Sequence, residues 1–286
     1  MTQDKPFDRE LRRRRRDRAA GRFAAADYLH RLAAEELLAR LDWVKRDFHE
    51  ALALGCPGGF VTERLRERGL EVTTADAGAA FAGTAGGVQC DEDRLPFADG
   101  AFDLILSVGS LDSVNDLPGA LTLIRRALRP DGLFLAAFAG AGSLPRLRSA
   151  MAAADSAETG GASARIHPQI DVRAAGDLLM RAGFALPVVD SEPVTVRFAD
   201  LGKLLADLRA MGATNILQTR DRRPLGRLGL AAAYADFAAQ ADADGKTPER
   251  FDILYLIGWA PSSDQPQPAR RGSATASLAA TLKAPR

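Results

Sequence analysis

An apolar run that stops in a glycine cluster and then resumes at helical spacing constrains this chain more than any other feature. Residues 48–60 read FHEALALGCPGGF. A strand rich in Leu and Ala ends at Gly55, glycines at 55, 58 and 59 remove the Cβ atoms that would block close approach, and residues 60–68 return to a helical pattern. A parallel α/β sheet presents a backbone loop to a nucleotide-like ligand in this way. The same turn can equally serve only to pack a helix against a sheet. Residues 70–76, LEVTTAD, form a second strand ending on Asp76, about twenty residues past the glycines, where a doubly wound fold sets an acid for ribose hydroxyls. Residues 88–97, VQCDEDRLPF, put Asp91 and Glu92 after a third strand, and residues 102–108, FDLILSV, form a fourth of the kind buried on both faces.

The remainder continues the alternation of strand and helix. A helix over residues 117–128 is stopped by RPDG, and residues 133–138 follow as a fifth strand. Helices are expected at 144–155 and 171–182, a sixth strand at 186–190, and a last strand at 251–259, FDILYLIGW. The Gly, Ala and Ser-rich stretch from 140 to 161 is where a lid would lie. Two helical stretches at 199–211 and 225–241 read as a helical insertion over the site. The organisation expected is an N-terminal helical segment over 1–45, a main domain over 46–260 with its insertion around 199–241, and a flexible tail over 261–286, rich in Ser, Pro, Ala and Gln. At 286 residues and 47% hydrophobic content the chain can bury one large core.

Charge and rare residues narrow the function classes. The net charge is +1, so no global field draws the chain to nucleic acid or acidic lipid. The arginine run from Arg12 to Arg16 could hold RNA or a phosphate, but it lacks aromatic interleaving; a solvated helix face or a clamp on the protein's own acids is the plainer alternative. Asp4, Asp8, Glu10 and Asp17 are interleaved with it, which argues against a transit peptide. Two cysteines, Cys56 and Cys90, offer neither a disulfide framework nor metal spacing, and three histidines do not form a metal site, so no metal is expected. No stretch of about 18 apolar residues free of charge is present. The location expected is the cytoplasm of a prokaryote-like cell.

The order ALGCPGG, TTAD, CDEDRLPF, FDLILSVGSLDSVNDLPGAL and RRALRPDGLFLAAF resembles the class I S-adenosylmethionine-dependent methyltransferases. That resemblance implies a Rossmann-like seven-strand α/β fold, here with an N-terminal helical leader and a C-terminal helical insertion. More narrowly, FDRELRRRRRDRAA, VNDLPGAL, RAGFALPVVD, LRAMGATN and RRGSATASL are similar to blocks of the mitochondrial complex I assembly factors with arginine hydroxylase activity and their bacterial relatives. Malonyl-carrier-protein methyltransferases share the core but not the terminal blocks.

Carried over by position, the resemblance implies that Gly55 and Gly59 let the backbone approach the methionine moiety, Asp76 accepts from the ribose hydroxyls, Asp91 and Glu92 lie beside adenine, and Ser107 borders the sulfonium. Asp91 and Glu92 could instead cap the following turn. Departures stand beside these matches. Relatives carry an acid where this chain has Ala53, a glycine where it has Pro57, LHW where it has Leu111 to Ser113, and an acid where it has Gly142. Asp112 is the ionisable residue left toward the substrate side, as a catalytic candidate or as a surface or capping acid. The function expected is methyl transfer to a protein partner, with a subunit of NADH dehydrogenase as the candidate the resemblance implies. A non-catalytic assembly chaperone with a degenerate loop and an arginine hydroxylase on the same fold are the alternatives.

Overall fold

A computed structural model describes residues 5–83 and 87–265. The apolar runs become one seven-stranded sheet: β1 (Glu50–Leu54), β2 (Glu71–Asp76), β3 (Val88–Gln89), β4 (Phe102–Val108), β5 (Leu128–Ala139), β6 (Ala185–Phe198) and β7 (Thr247–Trp259), in the order β3-β2-β1-β4-β5-β7-β6. Pairing is parallel from β3 to β5 and antiparallel where β7 lies between β5 and β6. Strand order reverses at β1 and β4, and in open α/β sheets the crevice at such a reversal, past the carboxyl ends of the strands, is the ligand position.

Period-two alternation explains how so short a strand as β1 is enclosed. Ala51 and Ala53 point to one face and Leu52 and Leu54 to the other, all four buried. The first face is covered by α2 (Tyr28–Asp42), α3 (Phe60–Glu67), α6 (Pro145–Thr159), α8 (Leu201–Ala210) and α9 (Arg227–Ala239). The second is covered by α5 (Leu117–Ala127) and α7 (Val172–Arg181). Asp116 caps α5, accepting from Gly119 N at 2.8 Å, with Pro118 in the first turn. Glu249 of β7 is fully buried at the start of α6 and accepts from Leu147 N at 2.7 Å, which fixes α6 against the sheet.

Three expected elements come out differently. The sixth strand extends to Phe198, because hydrogen bonding to β7 carries it through residues whose own pattern is polar. The N-terminal segment is not helical throughout: α1 (Arg9–Ala20) is followed by Gly21, a 3-10 turn at Phe23–Ala25, and only then α2. The stretch from 140 to 161 is built into the body as α6, packed with α9, and contributes Leu147, Ala150 and Ala154 to the core. The helical insertion stands between β6 and β7 as α8 and α9. The tail beyond Gln265, with its RRGSATASL block, lies outside the described residues, as do residues 1–4 and 84–86.

The start of α1 is pinned from two sides. Asp8 caps it by accepting from Leu11 N at 3.0 Å. Phe7 is buried with Ile216 and Leu217, and its backbone N–H donates to Asn115 Oδ1 at 2.8 Å, so the VND segment after β4 holds the leader in place.

Candidate functional site

The glycine loop is folded as its spacing implies, and its neighbours are the protein's own side chains. Gly55 has φ of +64° at the tip of β1 and donates its N–H to Ala75 O at 2.7 Å. A Cβ there would lie 2.2 Å from Ser110 Oγ. At Gly58, with φ of +81°, the Cβ would meet the Phe23 ring at 2.7 Å; at Gly109, just past β4, it would meet His30 Nε2 at 2.5 Å. Gly59 precedes α3 and has only Glu63 nearby, at 3.8 Å. Between Phe23, His30, Pro57 and Phe60 a space of about 20 Å³ remains over the loop.

The acids at the strand ends converge as expected, and α1 meets all of them. Asp76, at the tip of β2 and 2% exposed, accepts from Arg16 Nε at 2.7 Å, and its second oxygen takes the Arg16 Nη2 contact. Gly78 N also donates to it at 2.7 Å. Glu92 is fully buried and takes both Nη atoms of Arg12 at 2.6 and 2.8 Å. Asp91 accepts from Arg13 at 2.6 Å and lies 3.0 Å from Arg9, which also pairs with Asp93. Arg12 further donates to Ser113 Oγ at 3.1 Å and Ser110 O at 3.1 Å. Ser107 is buried at the end of β4 and shares a 3.1 Å hydrogen bond with Ser110.

Four guanidinium groups thus face four carboxylates, with Arg12 and Arg16 buried and Arg9 and Arg13 at the solvent edge. Burial works against the charge of Arg12, but Glu92, with Asp76 and Asp91 behind it, outweighs that and holds the guanidinium more firmly protonated. Arg16 is held the same way against its burial by Asp76. Glu92 is pushed up by burial and pulled down further by Arg12 and Arg16, so its pKa falls below the usual carboxylate value.

Beyond the ends of β4 and β5 lies a larger cavity of about 570 Å³. Its apolar wall comes from α2, α6 and α8, including Leu29, Leu147, Met151 and Leu208. Its polar side carries Asp112, Asp221, His167 and Gln169 together with six arginines, among them Arg12, Arg15, Arg16 and Arg220, so it is rich in positive charge. Asp112 stands in the turn after β4, partly buried, and desolvation lifts its pKa to about 6 against the pull of Arg12 and Arg16. Burial also pushes His30 and His167 down to about 4, with arginines adding to the effect, so both are neutral at pH 7. At Gly142, a Cβ would lie 2.0 Å from Asp252 Oδ2. Among the described residues no group of three or more His, Cys, Asp or Glu is arranged to hold a metal ion. None of the described helices is long and apolar enough to cross a membrane.

The structure therefore brings Gly55, Asp76, Asp91, Glu92 and Ser107 to one crevice, with Gly59 at its edge and Asp112 on the neighbouring cavity. The sequence reasoning missed Arg12 and Arg16 as individual partners of Glu92 and Asp76, and His30 and Phe23 as fillers of the loop. One signal was available: Arg9, Arg12, Arg13 and Arg16 are spaced to share a face of a helix.

This fold and its crevice define a class I S-adenosylmethionine-dependent methyltransferase architecture. Residues 52–136 match the family model described as "Methyltransferase domain". The YcgJ protein of Bacillus subtilis has a similar solved structure, with a TM-score of 0.54 and 15% identity over 82% of this chain and 100% of that one, a likeness of fold. Among curated proteins, the mitochondrial arginine-hydroxylase NDUFAF5 of Danio rerio is 35% identical over 96% of this chain and 88% of its own length. The malonyl-[acyl-carrier protein] O-methyltransferase of Halorhodospira halophila is 32% identical over 88% of each. The chain belongs to this methyltransferase family, and its likeness to the NDUFAF5 proteins runs over nearly its whole length.

S-adenosylmethionine is the cofactor of that family. In the arrangement described, the crevice at the strand ends does not admit it: Asp76 and Glu92 are each held by a guanidinium, and Gly58 of the glycine loop lies under Phe23.

Proposed function

We propose that this chain is an enzyme of the methyltransferase class that modifies a side chain of a protein partner, in the cytoplasm, in a step linked to assembly of the respiratory NADH dehydrogenase. The observation that carries this reading is the cavity of about 570 Å³ past β4 and β5, large enough for one long side chain and adjoining the crevice of acids. Its apolar wall suits a methylene stem and its polar side a hydrogen-bonding head. Asp112, with a pKa lifted to about 6, changes protonation near neutral pH and can accept a proton from a group entering the cavity. His30 and His167 are neutral there, so the positive charge of the cavity comes from its arginines.

Nearly full-length likeness to NDUFAF5 proteins supports the protein partner and the link to respiratory assembly. Their name, arginine-hydroxylase, marks oxidation of an arginine as the second chemistry to test. The loop covered by Phe23 and the paired acids favour a third reading, a non-catalytic chaperone. One comparison separates the three. Mass spectra of NADH dehydrogenase subunits from wild-type and deletion strains should show a peptide that loses the mass of one methyl substitution in the deletion. Loss of one oxygen atom instead would assign the hydroxylase chemistry. Unchanged peptides with impaired assembly would assign the chaperone, and unchanged peptides with normally assembled enzyme would remove the proposal.

A further inference from the structure

The segment that fills the cofactor crevice is continuous in sequence. Arg12 and Arg16 of α1 hold Glu92 and Asp76, and Phe23, in the 3-10 turn that follows α1, lies over Gly58. One strap, residues 9–25, thus covers both the acids and the glycine loop. Its inward side is mainly charged: Arg9, Arg12, Arg13 and Arg16 face the acids, and among the buried residues of α1 only Ala19 is apolar. Such a seat is held by ion pairs that a polar ligand can replace with hydrogen bonds of its own, unlike a helix held by a broad apolar face.

We propose that residues 9–25 are an internal competitor for the adenosyl cofactor: Arg16 at Asp76, Arg12 at Glu92 and Phe23 at Gly58 hold the positions that the cofactor requires, so strap docking and cofactor binding exclude one another. This rests on the reading of the chain as a cofactor-using enzyme. The free protein is then self-inhibited, and the apparent affinity for the cofactor is reduced by the fraction of molecules whose strap is open. A partner that draws the arginine helix away, by offering it acids of its own, would raise that affinity.

S-adenosylhomocysteine is the probe, and two measurements use the full chain. Hydrogen exchange of the wild-type protein is followed over residues 9–25 with and without saturating probe. Calorimetric titration compares wild type with Phe23→Ala, which leaves every ion pair in place, and with the double variant Arg12→Met/Arg16→Met, each first shown folded by circular dichroism. The expected result is faster exchange in residues 9–25 on binding, and binding tightened at least about tenfold in a variant that weakens the strap. Binding to the variants alone, with none to wild type, also supports the proposal. If wild type binds and exchange over residues 9–25 is unchanged or slowed, the competition is overturned while the cofactor reading stands. If wild type and every folded variant fail to bind at millimolar probe, both are overturned. Should the double variant not fold, Phe23→Ala and the exchange measurement decide.

Discussion

Substituting Arg16 by Met removes one half of the ion pair that closes the crevice. Arg16 is 4% exposed and Asp76 2%, and two guanidinium nitrogens meet the two carboxylate oxygens. Breaking a buried pair by deleting one partner costs about 3–5 kcal/mol, chiefly because the other charge stays buried. Gly78 N–H still donates to Asp76 at 2.7 Å, which places the expected loss at the low end, about 3 kcal/mol. For a chain of this size that lowers the melting temperature by roughly 6–12 °C. Replacing both partners, Arg16→Met with Asp76→Leu, leaves no orphaned charge and should recover most of the loss, since apolar replacements of buried pairs are often close to neutral. Urea unfolding of wild type, the two single variants and the double variant, followed by far-ultraviolet circular dichroism, gives the coupling energy. A loss below about 1 kcal/mol for Arg16→Met, the size of an exposed pair, would refute the closed crevice.

Asp112→Asn should act in opposite directions on stability and turnover. The pKa of Asp112 is raised from 3.8 to about 6, so the ionised form is penalised at pH 7 and the penalty vanishes below about pH 4; the full shift corresponds to about 3 kcal/mol, and water reaching the partly exposed carboxylate reduces the expected gain to about 1 kcal/mol. Urea midpoints at pH 7 and pH 4 check this, and turnover by the variant should fall at neutral pH. His30 has its pKa lowered to about 4, so its contribution is intact above the unfolded value of 6.5 and is lost as pH falls toward 4. Stability of the wild type should therefore drop from pH 7.5 to pH 5 by about 2 kcal/mol more than that of His30→Gln, measured by the same unfolding assay. Gly55→Ala should destabilise by more than about 2 kcal/mol in thermal unfolding, because a Cβ would meet Ser110 Oγ at 2.2 Å at a φ of +64°.

Much of the sheet was legible because its strands are enclosed on both faces. Every residue of β4 is buried, and a run such as FDLILSV has no polar side to obscure it. The reach of β6 was not legible. Its residues read EPVTV at mid-length, and only the ladder with Phe251 to Asp252 and their neighbours makes them a strand.

The candidate site divides along the same line. Asp76, Glu92 and the glycines were visible because strand ends in a doubly wound sheet have fixed positions relative to the loops. What meets them was not visible, because Arg16 to Asp76 spans 60 residues and Arg12 to Glu92 spans 80. The arginine spacing gave a face for the helix and left open whether water, a phosphate or the protein's own acids would lie against it. Glycine is likewise silent on its neighbour: Gly58 and Gly109 admit Phe23 and His30 as readily as they would admit a ligand.

A crystal structure of the ligand-free protein measures the closed seam most directly. The account predicts Arg16 on Asp76, with Nε to Oδ1 near 2.7 Å, and Arg12 on Glu92 near 2.6 Å, with Phe23 over Gly58. Electron density showing α1 lifted from the sheet, with Asp76 and Glu92 open to solvent, would contradict it.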